Sequence, residues 1–162
     1  MIGTFRLATA DEIQGLFAEP LTITDFLDDE EDEAKSFDVD KAWHGIHYLL
    51  TGTAWEGDMP EGFILTGGQQ IGEQDVGYGP ARALLPDQLR EVVNMMNALP
   101  VDALRKRFNP AEMRELEIYP SIWTRAPKDD DTLGYVLTHY DALKKFLGAA
   151  AERHLGVIIY LS

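Results

Sequence analysis

The order of strand-like and helix-like segments is the feature that most limits how this chain can fold. Both ends are strand-like: residues 2–8 alternate with Ile, Phe and Leu among them, and residues 157–161 form an apolar β-type run. Between them, helical patterns surround residues 52–79, which hold eight of the fourteen glycines. This is not a regular alternation of strands and helices. The sequence therefore predicts an α+β fold, with a small mixed sheet that contains both terminal strands and is packed with several helices.

The helices are predicted from the residues at which they begin. Thr9 and Glu12 have the three-residue spacing of a capping box. Asp38 is a candidate cap for a helix that runs through Leu50 and ends at Gly52. Further helices are predicted to begin near Pro86, Pro100, Pro110 and Asp131 or Thr132, and the last of them is expected to end at Gly156.

Three shorter segments are predicted to be extended. Residues 63–65 and 78–84 are expected to form short strands between glycine-rich turns. Residues 118–123 are expected to be extended as well, although Pro120 excludes a central position in a sheet.

Length and composition exclude several classes of protein. A chain of 162 residues suits one domain spanning residues 1–162, and the absence of cysteine excludes disulfide scaffolds and thiolate chemistry. The formal charge of −14 disfavours binding to nucleic acid or to an anionic membrane. No secretory signal or membrane-spanning run is recognisable, so a cytoplasmic location is expected.

Acidic residues are concentrated in residues 25–33, where seven of nine side chains are Asp or Glu. Runs of this kind repel themselves and are usually solvated, so we expect a mobile loop. The alternative is a surface that collects cations or docks a basic partner.

Four segments, in this order and at these separations, carry a resemblance to a known family. They are M-I-G-T-F at residues 1–5, D-K-A-W-H-G-I-H-Y-L-L-T-G at 40–52, G-Y-G-P-A-R at 77–82 and I-Y-P-S-I-W at 118–123. Together they resemble the YfbM-like family of small bacterial proteins, a domain of unknown function. The resemblance implies a compact α+β protein of the bacterial cytoplasm, and it implies no catalytic residues.

The segment 40–52 holds the first group of candidate site residues. On a helix, Asp40, His44, His47 and Thr51 share one stripe beside the apolar face. Two histidines and a carboxylate could hold a metal or act as acid and base. The alternative is that one histidine is hydrogen-bonded at the edge of the core and the other is exposed. We expect His47 to be mostly buried and His44 to be more exposed. No metal or cofactor is expected, since the segment lacks the Glu of an H-E-x-x-H motif.

The segment 77–82 holds the second group. It does not match a dinucleotide-binding loop, because Arg82 occupies the third glycine position and Pro80 lacks an amide N–H. A tight turn that orients Tyr78 and Arg82 is the better interpretation. Arg82 is then either a partner in a structural ion pair or a binding residue for an anion.

Aromatic residues supply the remaining candidates. If residues 118–123 form a strand, Tyr119, Ser121 and Trp123 lie on one face, where they could line a pocket or close an edge of the core. Trp55, in the glycine-rich stretch, could be a mobile lid or a contact residue.

Two functions follow from these patterns. The first is a non-enzymatic, acidic interaction domain with a basic protein as its partner. The alternative is a small-molecule-binding or enzymatic site between the helix 40–51 and the turn 78–82. In that site His47 would be the acid or base, Asp40 would orient it and Arg82 would hold an anion.

Overall fold

A five-stranded sheet organises the part of the chain that the structure, a computed structural model, describes: residues 1–29 and 35–162. The strands lie in the order β2-β1-β5-β4-β3. Their bounds are β1 (Gly3–Ala8), β2 (Ser36–Asp38), β3 (Gln69–Asp75), β4 (Pro80–Leu84) and β5 (Gly156–Leu161). Both terminal strands are in the sheet, as predicted. All neighbouring strands are antiparallel, so the sheet is not mixed as predicted.

Seven α-helices occur in the described residues. They are α1 (Ala10–Ala18), α2 (Ile23–Leu27), α3 (Trp43–Thr51), α4 (Pro86–Ala98), α5 (Val101–Arg107), α6 (Pro110–Glu115) and α7 (Thr132–Glu152). The predicted capping box is confirmed, since the Thr9 side chain accepts from the amide of Glu12 and the Glu12 side chain accepts from the amide of Thr9. Gly156 does not end α7. It begins β5, where a Cβ would clash with the Leu84 carbonyl of the neighbouring strand.

The two faces of the sheet are covered unequally. Phe5, Leu7 and Ile159 belong to the larger core, which also takes in side chains of α3, α4 and α7. Ala83 and Ile158, which point to the opposite face, belong to a smaller core with the apolar residues of α1 and α2. This alternation along each strand is the reason one sheet can support two cores.

The start of α3 differs from the prediction. Residues Asp40–Ala42 form a 3-10 turn, Asp40 has a φ of 48°, and the α-helix begins at Trp43. Asp38 accepts a hydrogen bond from the amide of Asp40, at 2.9 Å, so it bonds to the start of this turn and does not cap the helix. Asp40 therefore leaves the helical stripe on which it was placed.

The glycine-rich stretch also differs. Residues 63–65 lie in a turn, and the buried side chains of Phe63 and Ile64 reach the core from it. The predicted strand at 78–84 begins only at Pro80. The unpredicted β3 is polar, with Ile71 as its one buried residue, because it lies at the edge of the sheet.

Residues 118–123 form turns instead of an extended segment. Ser121 has a φ of 65°, so the backbone reverses there and the expected alternation of faces is lost.

The acidic run of residues 25–33 starts inside α2, so Asp25 is helical rather than part of a loop. Of the mobile loop predicted at residues 25–33, residues 30–33 lie outside the described residues. None of the described helices combines the length and apolar character that a membrane crossing requires.

Candidate functional site

Both predicted site histidines are buried on α3. His44 and His47 are each 0% exposed, so the expectation that His44 is the more exposed of the two is wrong. The reason is the loop after α3. It folds back over the helix and brings Trp55 against the His44 ring, with 4.4 Å between ring centroids.

His44 uses both of its ring nitrogens. Its Nδ1 lies 2.9 Å from the amide nitrogen of Tyr119, and its Nε2 lies 2.7 Å from the carbonyl oxygen of Ala54. A backbone N–H can only donate, so Nδ1 is the acceptor and Nε2 carries the proton. Burial lowers the pKa of this histidine, which fits a neutral, fully hydrogen-bonded imidazole.

His47 binds the backbone carbonyl of Glu56, two residues after the Ala54 carbonyl that His44 binds. Its Nε2 lies 3.1 Å from the carbonyl oxygen of Glu56, so this nitrogen donates, while the buried Nδ1 has no hydrogen-bond partner in the described part of the chain. Burial is the main cause that lowers the pKa of His47 to about 4; electrostatic interactions with His44 and Arg82 act in the same direction, and the Glu56 hydrogen bond opposes them. His47 is therefore neutral at physiological pH.

Together the two histidines fix the position of Trp55. The carbonyls that they bind belong to Ala54 and Glu56, which flank Trp55 in the chain. We call His44, His47 and these two carbonyls the histidine clamp. The clamp holds Trp55 with one side against His44 while 59% of the residue stays exposed.

The other two residues of the predicted stripe have separate structural contacts. Asp40 accepts a hydrogen bond from the hydroxyl of Tyr135, at 2.9 Å, and Thr51 donates to the carbonyl of His47. The predicted role of Asp40 in orienting His47 is therefore wrong, since the Glu56 carbonyl orients that ring. Among the described residues, no three His, Asp or Glu side chains lie together as a metal ion would require.

A cavity of about 330 Å³ opens between the Trp55 loop and the turn from β3 to β4. We call it the Arg82 cavity. It is lined by Trp55, Ile64, Leu65, Gln70, Tyr78, Gly79, Pro80, Arg82 and residues 159–161. Tyr78 and Arg82 thus meet here, whereas Asp40, His44, His47, Thr51, Tyr119 and Trp123 do not line it. None of its lining residues is a histidine or a carboxylate.

Arg82 is the one cationic residue of this lining. Its Nη1 donates to the carbonyl of Gly67, at 2.9 Å, and its Nη2 donates to that of Ile64. No carboxylate pairs with it within the described ranges, so the expected ion pair is not found there. Burial lowers the pKa of Arg82 to about 10, which leaves it charged at neutral pH.

Tyr78 lies at the tip of a hydrogen-bonded turn. The Asp75 carboxylate accepts from the amides of Gly77 and Gly79, at 2.8 and 3.0 Å, and these bonds lower its pKa. The amide of Tyr78 donates to the carbonyl of Leu161 in β5. The backbone is therefore fixed, while the residue is 60% exposed.

Tyr119 and Trp123 lie elsewhere. Tyr119 stacks on Trp43, with 5.8 Å between ring centroids, at the edge of the core. Trp123 is 2% exposed and its Nε1 donates to the carbonyl of Ile118. Trp123 also forms part of a separate cavity beside Phe108 and residues 124–127.

Known proteins resemble this chain in both sequence and fold. The sequence profile of the family described as "Domain of unknown function (DUF1877)" matches residues 1–160. The chain belongs to this DUF1877 family. The DUF1877 chain is also similar to the crystal structure of YfbM from Escherichia coli, a protein of unknown function, at 22% identity and a TM-score of 0.77 over 98% of each chain. That similarity shows the fold alone. No curated protein sequence matches the chain.

Proposed function

We propose that this protein is a non-enzymatic binding protein whose Arg82 cavity takes a small anionic molecule. The observation that carries the proposal is Arg82 itself. It is a half-buried guanidinium at the wall of a cavity, with backbone carbonyls as its hydrogen-bond acceptors and no acidic partner in the described residues.

The charge balance makes this arrangement informative. The chain has 28 acidic residues against 14 Lys and Arg, so an arginine that needed a structural ion pair had many available partners. Partial burial of an unpaired charge is costly, and binding an anion offsets that cost. A guanidinium has five N–H groups, of which two donate to carbonyls here, so three remain for a ligand.

The lining of the cavity supports binding rather than reaction. General acid–base catalysis needs a group that changes protonation near neutral pH and lies within hydrogen-bond reach of the substrate. The lining offers tyrosine, glutamine and arginine side chains, while both clamp histidines point their N–H groups at backbone carbonyls. Small-molecule sites of this size commonly combine apolar walls with a few polar groups in this way.

Nuclear magnetic resonance titration with acetate and with inorganic phosphate, at constant ionic strength, tests the proposal. We expect saturable shifts of the Arg82 Nε–H signal and of the Gln70 amide, because both side chains line the cavity. Arg82→Gln should abolish the saturation, and Arg82→Lys should weaken it by removing the fork of donors while keeping the charge.

Arg90→Gln is the matched control, since Arg90 is an exposed arginine on α4 paired with Asp87. It should leave the titration unchanged. Shifts that never saturate in the unmodified protein, or that survive in Arg82→Gln, would refute an anion site at Arg82.

A groove between α1 and α2 favours a second function, the docking of a basic protein. Leu16, Ala18 and Phe26 form part of its lining, together with the carboxylates of Glu19 and Asp25. Leu21 nearby is 81% exposed. The charge of −14 would speed the approach of a cationic partner. The cysteine-free sequence is compatible with the cytoplasmic location that we propose for such binding.

An amphipathic Lys-Leu peptide is a suitable probe for that groove. We expect it to bind at low salt and to be released at high salt. The double charge reversal Glu19→Lys with Asp25→Lys should remove binding, whereas reversal of Glu115 on α6 should not. Equal binding of the peptide to both variants would show that the groove is not its binding site.

A further inference from the structure

Two exposed aromatic residues stand at the rim of the Arg82 cavity. Trp55 is 59% exposed and Tyr78 is 60% exposed, and both are among its lining residues. Large aromatic side chains are usually buried, because each removes a large apolar area from water. Their joint exposure beside a guanidinium with no carboxylate partner in the described residues calls for a reason other than folding.

Neither residue is loosely attached. The histidine clamp binds the carbonyls on both sides of Trp55, and the His44 ring supports the indole from behind. The turn that holds Tyr78 is closed by the Asp75 carboxylate and joined to β5 by the Tyr78 amide. A backbone that is fixed before a ligand arrives loses little conformational entropy when the ligand binds, which favours affinity.

The chemistry of the three residues selects a class of ligand. Exposed aromatic rings alone would suit a cation, such as a quaternary ammonium group. Arg82 reverses that preference, since a cationic ligand would meet a guanidinium at the wall of the same cavity. One arginine, in a chain of net charge −14, matches a single negative charge better than a polyphosphate.

We infer that the ligand of the Arg82 cavity is a planar aromatic monoanion, with its carboxylate on Arg82 and its ring against Trp55 and Tyr78. This inference rests on the proposed function and adds the class of ligand to it. The volume of about 330 Å³ accommodates one or two fused rings with a carboxylate. Arginine and carboxylate form short, charge-assisted hydrogen bonds that also fix the orientation of the ring.

Calorimetric titration with three probes tests the inference: 2-naphthoate, its saturated analogue decahydro-2-naphthoate and 2-naphthylmethylammonium. We expect 2-naphthoate to bind about tenfold more tightly than decahydro-2-naphthoate, which has a similar size, since two aromatic contacts together contribute about that factor beyond the area buried. The ammonium probe should not bind.

Variants then assign the selectivity to residues. Trp55→Leu and Tyr78→Leu should each reduce the preference for 2-naphthoate over decahydro-2-naphthoate to about threefold. Phe17→Leu, an aromatic replacement in the smaller core on the other side of the sheet, is the control and should keep the full preference.

The outcomes separate this inference from the proposed function. If neither carboxylate binds, or if the ammonium probe binds as well as 2-naphthoate, the anion site at Arg82 fails together with the inference. If the two carboxylates bind equally, or if the preference survives both leucine variants, the anion site stands and the aromatic class is wrong.

Discussion

The histidine clamp and the Arg82 cavity differ in how far the protein itself satisfies their polar groups. His44 has a backbone partner for each ring nitrogen, and His47 donates to Glu56, with both rings 0% exposed. Arg82 is charged, reaches a cavity and keeps three of its five N–H groups for other partners. A histidine pair attracts attention as a reaction centre, yet both rings are 0% exposed here, and it is the arginine that has unused donors at a cavity.

The two regions are nevertheless connected through Trp55. The clamp binds the backbone on each side of this residue, and the cavity uses its exposed part. Buried hydrogen bonds from side chains to the backbone hold a loop in one arrangement. The buried histidines therefore fix Trp55, which forms part of the cavity wall, and the cavity supplies the binding groups.

Replacement of Trp43 should give the largest effect on the clamp region. Trp43 is 0% exposed and stacks with both His44 and Tyr119, so Trp43→Ala should lower the free energy of unfolding by about 3–5 kcal/mol. Urea denaturation measures this. The control is Trp55→Ala, which should cost about 1 kcal/mol or less because Trp55 is mostly exposed. Similar losses of unfolding free energy in both variants would mean that Trp55 contributes to the core as strongly as Trp43 does.

His44→Leu should have the next largest effect. It leaves the Ala54 carbonyl and the Tyr119 amide without their partner, and we expect a loss of about 2–3 kcal/mol in the free energy of unfolding. The control is His154→Asn, because His154 is exposed and has a φ of 54°, a conformation that asparagine tolerates. If His44→Leu left the free energy of unfolding unchanged, the clamp would not be the more stabilising of the two regions.

Local signals in the sequence were sufficient for much of the fold. Thr9 and Glu12 specify the start of α1. The first strand shows alternation of apolar and polar residues, and the last is a short apolar run of β-type residues. The edge strand β3 has no such signal, because with only Ile71 buried its residues do not alternate between apolar and polar.

The site was less accessible to sequence reasoning. The spacing of His44 and His47 suggested a pocket, but their partners are backbone groups, one of them 75 residues away at Tyr119. Backbone acceptors have no residue-type signature, so the clamp could not be read from the sequence. Tyr78 and Arg82 were found because a tight turn fixes both. Trp55 could have been placed by noting that the glycine-rich loop directly follows the histidines.

Acid should weaken the clamp before it affects the rest of the protein. The pKa of His47 falls from 6.5 in the unfolded chain to about 4 in the folded protein, so the unfolded chain binds the proton first. Stability is thus full above pH 6.5 and falls between pH 6.5 and about 4, by up to about 1.4 kcal/mol per pH unit.

His47→Gln tests this dependence, because the glutamine amide can replace the Nε2–H donor without titrating. Melting temperatures measured from pH 6.5 to 5 should fall less steeply for the variant than for the unmodified protein. This range lies above the pH at which most carboxylates titrate. Parallel slopes would show that His47 is not the group whose protonation destabilises the fold.

Asp75→Ala should give the smallest effect and a purely local one. The Asp75 carboxylate accepts from the amides of Gly77 and Gly79 on an exposed turn. Hydrogen exchange at those two amides should accelerate, while exchange in α3 and the melting temperature stay unchanged.

The turn should also be less sensitive to acid than the clamp. The Asp75 carboxylate has a lowered pKa, so its contribution to stability is present above the unfolded value of 3.8 and is lost only as the pH falls through the lower, folded value. The turn at Tyr78 should therefore persist at pH 5, where His47 already weakens the clamp. Asp87→Ala on α4 is the control, and faster exchange in α3 after Asp75→Ala would mean that the clamp and the turn are one cooperative unit.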